Sequence, residues 1–310
     1  MNAANGSTAI GTTATVKGTV PGTGRFAPSP SGALHLGSLA TAAASFLDAR
    51  HQGGKWLLRI EDLDTARALP AATDSILRAL ECLGFWWDGP VVYQSQRLML
   101  YRQALDELTA RGLAYPCSCT RSDRGATSDS GGYPGTCRLG ARRPGPAAMR
   151  FRADLCPAGP FVDRLHGLTD FDADALGDPI VRRRDGCFAY QLAVVVDDAA
   201  QGVSDVVRGD DLLTSTFWQR SLLRALDQPE PRYAHLPLVC DPDGAKLSKS
   251  KRTVSSSDAA PTQQLWRILQ LLRQCPPAEL AREPVEALWA WAIAHWRLEA
   301  LRGVATLPAD

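Results

Sequence analysis

The sequence lacks two features by which many nucleic-acid-binding and membrane proteins are recognised. It has almost no net charge, because 34 Lys and Arg residues stand against 33 Asp and Glu residues over 310 positions. A general positive field is therefore excluded, and any binding of nucleic acid must use local basic patches. It also lacks a long apolar run: residues 287–294, the longest near the end, are too short to span a bilayer.

A signal-peptide pattern is also missing, although the sequence contains eight cysteines. This combination argues against a secreted disulfide framework and for a reducing compartment. We therefore expect a soluble cytoplasmic protein with no membrane partner. Residues 1–21 are rich in Thr, Ala and Gly without a sustained period, which predicts a disordered extension.

Residues 25–39 carry the first motif, Pro-Ser-Pro-Ser-Gly-Ala-Leu-His-Leu-Gly at positions 28–37. A strand-like start followed by Pro and Gly predicts a turn, and a helix is expected to open near His35 and run toward Gln52. Backbone N–H groups at a helix start have no intrahelical partner, so this junction can cradle phosphate. Gly37 would leave the approach open, and His35 could donate to a phosphate oxygen. The alternative is an ordinary turn with a capping histidine.

The second motif is Lys-Leu-Ser-Lys-Ser at positions 246–250, preceded by the turn-forming Asp-Pro-Asp-Gly. Two lysines and two hydroxyls suit a lid that neutralises charge on a departing pyrophosphate. A short run of this kind is otherwise a solvated surface loop.

Together these two motifs resemble the signatures of class I aminoacyl-tRNA synthetases. Residues 24–29 and 59–64, Gly-Arg-Phe-Ala-Pro-Ser and Arg-Ile-Glu-Asp-Leu-Asp, are similar to the glutamyl branch of that class. The resemblance implies an α/β, Rossmann-like class I catalytic domain with a zinc-bearing insertion and a short helical C-terminal tail. The expected divisions are 22–112 and 188–258 for the two halves of the nucleotide-binding domain, 113–187 for the insertion and 259–310 for the tail.

The candidate substrate-binding residues follow the predicted strands. The apolar run Lys55–Ile60 indicates a buried strand that ends on Glu61, Asp62 and Asp64. Carboxyl ends of parallel strands bind ligands, although Asp62 and Asp64 could equally cap the next helix. Residues 188–196 and 205–208 are two further strand-like pieces.

The resemblance assigns a role to each candidate. Glu61 is expected to hold the amino group of glutamate, and arginines match carboxylates bidentately. The expected glutamate-binding set is Arg25, Ala27, Ser29, Glu61, Tyr190 and Arg208. The expected ATP-binding set is Gly37, Ser38, Lys246, Ser248 and Lys249, with His35 and Lys249 as the catalytic residues.

A candidate metal site lies in the insertion. Cys117 and Cys119, with Cys137 beyond a Ser- and Gly-rich stretch, are a partial tetrahedral zinc set that has no histidine nearby. The spacing of Tyr133 from Cys137 resembles the Cys, Cys, Tyr, Cys zinc site of glutamyl-queuosine tRNA(Asp) synthetases, which implies one structural Zn²⁺ per chain. The alternative is three unrelated thiols.

The expected function follows from this resemblance. After the lid motif the sequence leaves no room for an anticodon-binding domain, so we expect activation of L-glutamate by ATP with Mg²⁺ and transfer to queuosine in tRNA(Asp). The expected RNA partner is the anticodon arm, with phosphate contacts from Arg142, Arg143 and residues 182–184, and the chain is expected to be monomeric. Three alternatives are a truncated glutamyl-tRNA synthetase charging the 3′ end of tRNA(Glu), a small-molecule nucleotidyltransferase, and a non-catalytic zinc and RNA-binding module.

Overall fold

The computed structural model describes residues 21–64, 68–120, 123, 132–172, 176–241 and 260–309. The lid motif with Lys246, Ser248 and Lys249 lies outside the described residues, as do positions 1–20. In chain order the elements are β1 Thr23–Phe26, α1 Leu36–His51, β2 Lys55–Ile60, α2 Pro70–Cys82, β3 Val92–Tyr93, α3 Leu98–Ala110, β4 Ala114–Cys117, β5 Ala148–Phe151, β6 Phe161–Asp163, β7 Gly167–Thr169, β8 Ile180–Arg182, α4 Tyr190–Ala200, β9 Asp205–Gly209, α5 Leu213–Ala225, β10 Arg232–Leu236, β11 Leu238–Cys240, α6 Pro261–Leu271, α7 Val285–His295 and β12 Thr306–Pro308.

The strands on either side of the antiparallel region pair in parallel and form one layer. β1, β2 and β3 pair in that order, and β9 pairs with β10. The two groups meet where Ser204 N donates to Thr23 O at 3.0 Å, beside β1 and β9. The carboxyl ends of β1, β2 and β9 therefore face one edge, which is where open α/β sheets bind ligands.

Helix α1 packs closely against this layer because its sequence is rich in alanine. Ala42, Ala43 and Ala44 are fully buried. A Cβ added at Gly24 of β1 would come within 3.1 Å of the Ala49 Cβ, so a larger residue there would push the strand and the helix apart by a few tenths of an ångström. The expected helix from near His35 toward Gln52 is confirmed, as is the strand Lys55–Ile60.

One element differs from its sequence-based prediction. Residues 188–196 were expected to be strand-like, but Tyr190–Ala200 is helix α4. Its apolar run is continuous because both sides of the helix are buried, and a short run of that kind does not distinguish a helix from a buried strand. The sequence also predicts a helix over residues 284–301, and in the structure this helix, α7, ends earlier, at His295.

The region between the two groups of parallel strands contains an antiparallel sheet, β4-β5-β8, and the hairpin β6-β7. The hairpin reaches the parallel layer through a hydrogen bond from Arg164 N to Tyr233 O on β10, at 2.9 Å. Within the described ranges no helix is both long and apolar enough to cross a membrane. The domain boundaries given above stay a prediction.

Candidate active site and metal centre

The turn between β1 and α1 supports the first of two adjoining clefts. His35 is the N-cap of α1: Ser38 N donates to its Nδ1 at 3.3 Å, and Ser38 Oγ lies 3.1 Å from its Nε2. A Cβ at Gly37 would lie 3.1 Å from the imidazole Cε1, so glycine lets the ring fold over the turn. His35, Gly37 and Ser38 line a cleft of about 300 Å³, which we call the His35 cleft. The alternative of a capping histidine is thus confirmed, and His35 also lines the cleft. Its role toward phosphate stays a prediction.

The second cleft has a volume of about 550 Å³, and we call it the Glu61 cleft. Glu61, Tyr190, Ala27 and Ser29 are among its lining residues. Ala27, Ser29 and Leu212 also line the His35 cleft, so the two spaces share a wall. A carboxylate bound in one cleft can therefore approach a phosphate bound in the other.

Arg25 and Glu61 belong to a buried ionic network. Arg25 Nε lies 3.4 Å from both oxygens of Asp198, and Arg59 Nη2 lies 2.7 Å from Asp198 Oδ1. Arg59 is fully buried and its Nη2 also lies 3.7 Å from Glu61 Oε1. Asp197, likewise fully buried, lies 3.7 Å from Arg59 Nε. The network ties β1, β2 and α4 together at the cleft.

The network changes the pKa values of its carboxyl groups in opposite directions. Burial raises the pKa of Glu61 to about 7, although Arg59 and Arg25 lower it. Burial also opposes ionisation of Asp198, but there Arg25 and Arg59 outweigh it and hold the pKa below its usual range. Glu61 can therefore change charge near neutral pH while Asp198 stays ionised.

Arg208 is held at the end of β9 by side chains of α5 and β10. Its Nη1 donates to Gln219 Oε1 at 2.7 Å, and its Nη2 donates to Thr216 Oγ1 at 2.7 Å. Its Nε donates to His235 Nε2 at 3.1 Å. Nη1 also lies 3.5 Å from the hydroxyl of Tyr190. The structure thus brings Arg208 and Tyr190 together, although Arg25 and Arg208 lie behind the Glu61 cleft and are not among its lining residues. Their role in glutamate binding stays a prediction.

The two other acids after β2 have partners of their own. Asp62 accepts from Ser95 N at 2.8 Å and from Ser95 Oγ at 2.6 Å, in the short 3₁₀ turn Gln94–Gln96. Asp64 pairs with Arg183 at 3.0 Å, and both residues line the Glu61 cleft. Asp62 is therefore structural, whereas Asp64 lies at the cleft wall.

Sequence reasoning missed the residues behind the cleft. One signal was available, because a charged residue such as Arg59 inside an apolar strand predicts a buried partner. The others are polar residues on separate elements, whose convergence depends on the tertiary fold. The residues missed are Arg59, Asp163, Asp198, Thr216, Gln219 and His235.

The three predicted thiols form a cluster beside Tyr133, which we call the cysteine–tyrosine cluster. The Sγ atoms of Cys117, Cys119 and Cys137 all lie within 4.8 Å of one another. The Tyr133 hydroxyl lies 3.3 Å from Cys117 Sγ and 3.4 Å from Cys119 Sγ. A tetrahedral ion with Zn–S bonds of about 2.3 Å separates sulfurs by about 3.8 Å, so this donor set fits zinc in size and in chemistry.

The thiols of this cluster differ in acidity. Burial disfavours the Cys137 thiolate, but a hydrogen bond from Tyr133 and the backbone amides of Ser118 and Arg142 outweigh it and lower its pKa to about 6. Burial raises the pKa of Cys119. At least one sulfur is therefore prepared as the thiolate that a metal requires.

The predicted basic patches lie around this cluster, and several of their arginines are already paired. Arg143 forms a bidentate contact with Asp123 at 2.6 and 2.7 Å. Arg184 Nη2 donates to Ser118 O at 2.9 Å and to Cys119 O at 3.2 Å. These arginines thus also fix the loop that carries the thiols.

Comparisons with known proteins show which family and which fold the chain is similar to. The sequence matches the family model of the catalytic domain of class I tRNA synthetases (E and Q) over residues 23–129 and 133–272. It is 49% identical to the Glutamyl-Q tRNA(Asp) synthetase of Dechloromonas aromatica, covering 93% of this chain and 99% of that protein. It is 51% identical to the enzyme of the same name from Chromobacterium violaceum, covering 89% and 93%. The fold is similar to a glutamate tRNA ligase from Elizabethkingia meningosepticum in complex with its amino acid, with a TM-score of 0.76 and 25% identity over 94% of this chain and 67% of that one.

Proposed function

Because the chain belongs to the family of class I tRNA synthetases (E and Q), we propose that it activates L-glutamate with ATP and transfers the glutamyl group to queuosine in tRNA(Asp). The observation that carries this proposal is the shared wall of the His35 cleft and the Glu61 cleft. The chain matches relatives named Glutamyl-Q tRNA(Asp) synthetase over nearly their whole length. This similarity favours queuosine in tRNA(Asp) as the acceptor over the 3′ end of tRNA(Glu).

The proposed reaction has two steps and needs no nucleophilic side chain. An oxygen of the glutamate α-carboxylate attacks the α-phosphorus of ATP, the bond to the bridging oxygen breaks, and pyrophosphate leaves. A hydroxyl of the queuosine cyclopentenediol then attacks the carbonyl carbon of glutamyl-adenylate, and AMP leaves. The protein contributes positioning and stabilisation of developing charge.

Each site residue has a role in this proposal. Glu61 binds the ammonium group of glutamate, and Arg25 and Arg208 with Tyr190 bind its carboxylates. Ala27 and Ser29 form the wall against which the two substrates meet. Gly37 and Ser38 at the start of α1 hold phosphate oxygens, and His35 stabilises their charge.

Two metal ions and the lid complete the proposal. Cys117, Cys119, Tyr133 and Cys137 would hold one structural Zn²⁺, and Mg²⁺ would neutralise the phosphates of bound ATP. Lys246, Ser248 and Lys249 are assigned to ATP from their sequence motif alone. The proposed active species is the monomer.

The proposal is tested by two assays on the purified chain. Glutamate-dependent exchange between ATP and pyrophosphate reports the first step, and transfer of labelled glutamate to tRNA(Asp) reports the second. We expect transfer to tRNA(Asp) that contains queuosine and none to tRNA(Asp) that lacks it. Charging of tRNA(Glu) at its 3′ end, with no transfer to queuosine, would replace the proposal with the truncated-synthetase alternative.

A further inference from the structure

A second buried network, separate from the one around Arg59, lies against Arg208. Asp163 Oδ2 lies 2.7 Å from His235 Nδ1, and neither side chain has any exposed surface. His235 Nε2 accepts from Arg208 Nε at 3.1 Å, and Thr216 Oγ1 lies 2.9 Å from the same nitrogen. The contacts join the hairpin β6-β7 to strand β10 and then to Arg208 on β9, so they connect the insertion with the amino-acid site.

The chemistry of these groups fixes the proton on the imidazole ring. Asp163 Oδ1 already accepts from Leu165 N at 2.8 Å and from His166 N at 3.1 Å. Its Oδ2 can only accept, so His235 donates Nδ1–H to it. A guanidinium has donors only, so His235 Nε2 must be unprotonated to receive Arg208 Nε–H. Burial and the charge of Arg208 lower the pKa of His235 although Asp163 raises it, which is consistent with a neutral ring.

The result is an arginine whose orientation is set at every nitrogen. His235 Nε2 accepts from Nε, Thr216 Oγ1 and Leu212 O accept from Nη2, and Gln219 Oε1 accepts from Nη1. The second Nη1–H faces the Tyr190 hydroxyl at 3.5 Å and is the donor left for a carboxylate. We infer that Asp163 and His235 are positioning residues for Arg208, which they orient toward the carboxylate of glutamate beside Tyr190. This inference rests on the proposed function and adds two residues that do not touch the substrate.

Two variants of His235 separate its two hydrogen bonds. In His235→Asn the amide nitrogen lies near the position of Nδ1 and can still donate to Asp163, but nothing accepts from Nε of Arg208. In His235→Gln the amide oxygen can reach the position of Nε2 and accept from Arg208. Because a hydrogen bond to a charged group is lost, we expect the KM for glutamate to rise about 10- to 100-fold in His235→Asn. His235→Gln should recover part of that loss, and the KM for ATP should stay unchanged in both.

Asp205→Asn is the matched control for loss of a buried polar contact. Asp205 lies on β9, is buried, and pairs with Arg232 at 2.6 Å and with Arg164 at 3.7 Å, three register positions along the β9-β10 pair from Arg208 and His235. The Asp205→Asn substitution should lower the free energy of unfolding without raising the KM for glutamate. An unchanged KM in His235→Asn, or an equal rise in Asp205→Asn, would overturn the inference. Absence of glutamate-dependent exchange in the unmodified chain would instead overturn the proposed function.

A measurement on the unmodified protein does not depend on whether the variants fold. The chain has five histidines, and the imidazole resonances of His235 can be assigned within the unmodified protein by nuclear Overhauser contacts with the ring of Tyr233, which stacks on it. At pH 7 we expect Nδ1 to be protonated and Nε2 to be unprotonated. A ring protonated at Nε2, either as the other tautomer or as imidazolium, would contradict the inference.

Discussion

At the scale of single residues, the charge balance of the Glu61 cleft explains why one carboxyl group titrates near neutrality. Three guanidinium groups face three carboxyl groups in the network, namely Arg25, Arg59 and Arg97 against Glu61, Asp197 and Asp198. Asp197 and Asp198 have the shorter contacts with arginine, while Glu61 Oε1 lies 3.7 Å from Arg59. Arginine therefore offsets the effect of burial least at Glu61, whose pKa is raised to about 7. The ammonium group of a bound amino acid would complete its pairing.

The first prediction concerns the pH dependence of Glu61. Its carboxylate must form to bind an ammonium group, so the KM for glutamate should fall as pH rises through about 7, by up to about tenfold per pH unit below the pKa. In Glu61→Gln the KM should be higher and should lose this dependence. Steady-state exchange kinetics from pH 6 to pH 8 measure both; the same slope in the variant would show that another group titrates.

The second prediction concerns stability: without substrate, the free energy of unfolding should fall as pH rises, whereas glutamate binding should tighten. The pKa of Glu61 is raised from 4.5 to about 7, so its contribution to the free energy of unfolding is complete below pH 4.5 and is lost as pH rises through about 7. Denaturant unfolding across this range should show a decline in the unmodified chain relative to Glu61→Gln. A parallel pair of curves would contradict the assignment of the pKa.

The third prediction is that Asp198→Asn lowers the free energy of unfolding more than Glu61→Gln does. Asp198→Asn leaves the buried Arg25 and Arg59 without their common carboxylate, and breaking a buried pair costs about 3–5 kcal/mol. Urea unfolding measures the loss. Asp74→Asn is the control, because Asp74 and its partner Arg78 are exposed and should contribute nothing measurable. Equal free energies of unfolding in the two variants would show that the network does not stabilise the fold.

At the scale of elements, the structure shows which sequence patterns determine a local conformation. The β1-turn-α1 junction was predictable because proline, glycine and the start of a helix act locally. Helix α4 was not, because an apolar run buried on all sides has the same pattern in a helix and in a strand. The hairpin β6-β7 places Asp163 next to His235, which is 72 positions away. No local pattern encodes that contact.

The metal prediction belongs to the loop elements around β4. Removing one ligand from a closed four-ligand site should release the ion, whose apparent binding free energy in small zinc domains is about 10–16 kcal/mol. We therefore expect one zinc per chain in the unchelated protein and loss of zinc in Cys119→Ala, with the insertion losing order first. Metal analysis and amide hydrogen exchange test this. Cys82→Ala is the control, because Cys82 is an exposed thiol at the end of α2.

At the scale of the whole molecule, the basic residues follow a path from the cysteine–tyrosine cluster to the active site. Arg184 donates to carbonyl groups beside Cys119, and its neighbour Arg183 lines the Glu61 cleft. The sequence predicted residues 142–143 and residues 182–184 as separate patches. The structure joins them at Ser118, whose Oγ accepts from Arg143 N and whose backbone oxygen accepts from Arg184 Nη2. An RNA stem bound along it through its phosphates would present one nucleotide at the cleft.

The last prediction follows from that path. Base-modifying enzymes commonly bind a nucleotide turned out of its stack, so an isolated anticodon stem-loop of tRNA(Asp) should suffice as acceptor. The hairpin with queuosine should accept glutamate, and the same hairpin with guanosine should not. Arg142→Gln should weaken hairpin binding and reduce its salt slope by about one, because one phosphate contact is lost. Adenylate formation should not change, and Arg78→Gln on α2 is the exposed control. Equal affinity of the Arg142→Gln and Arg78→Gln variants for the hairpin would show that its stem does not bind at Arg142.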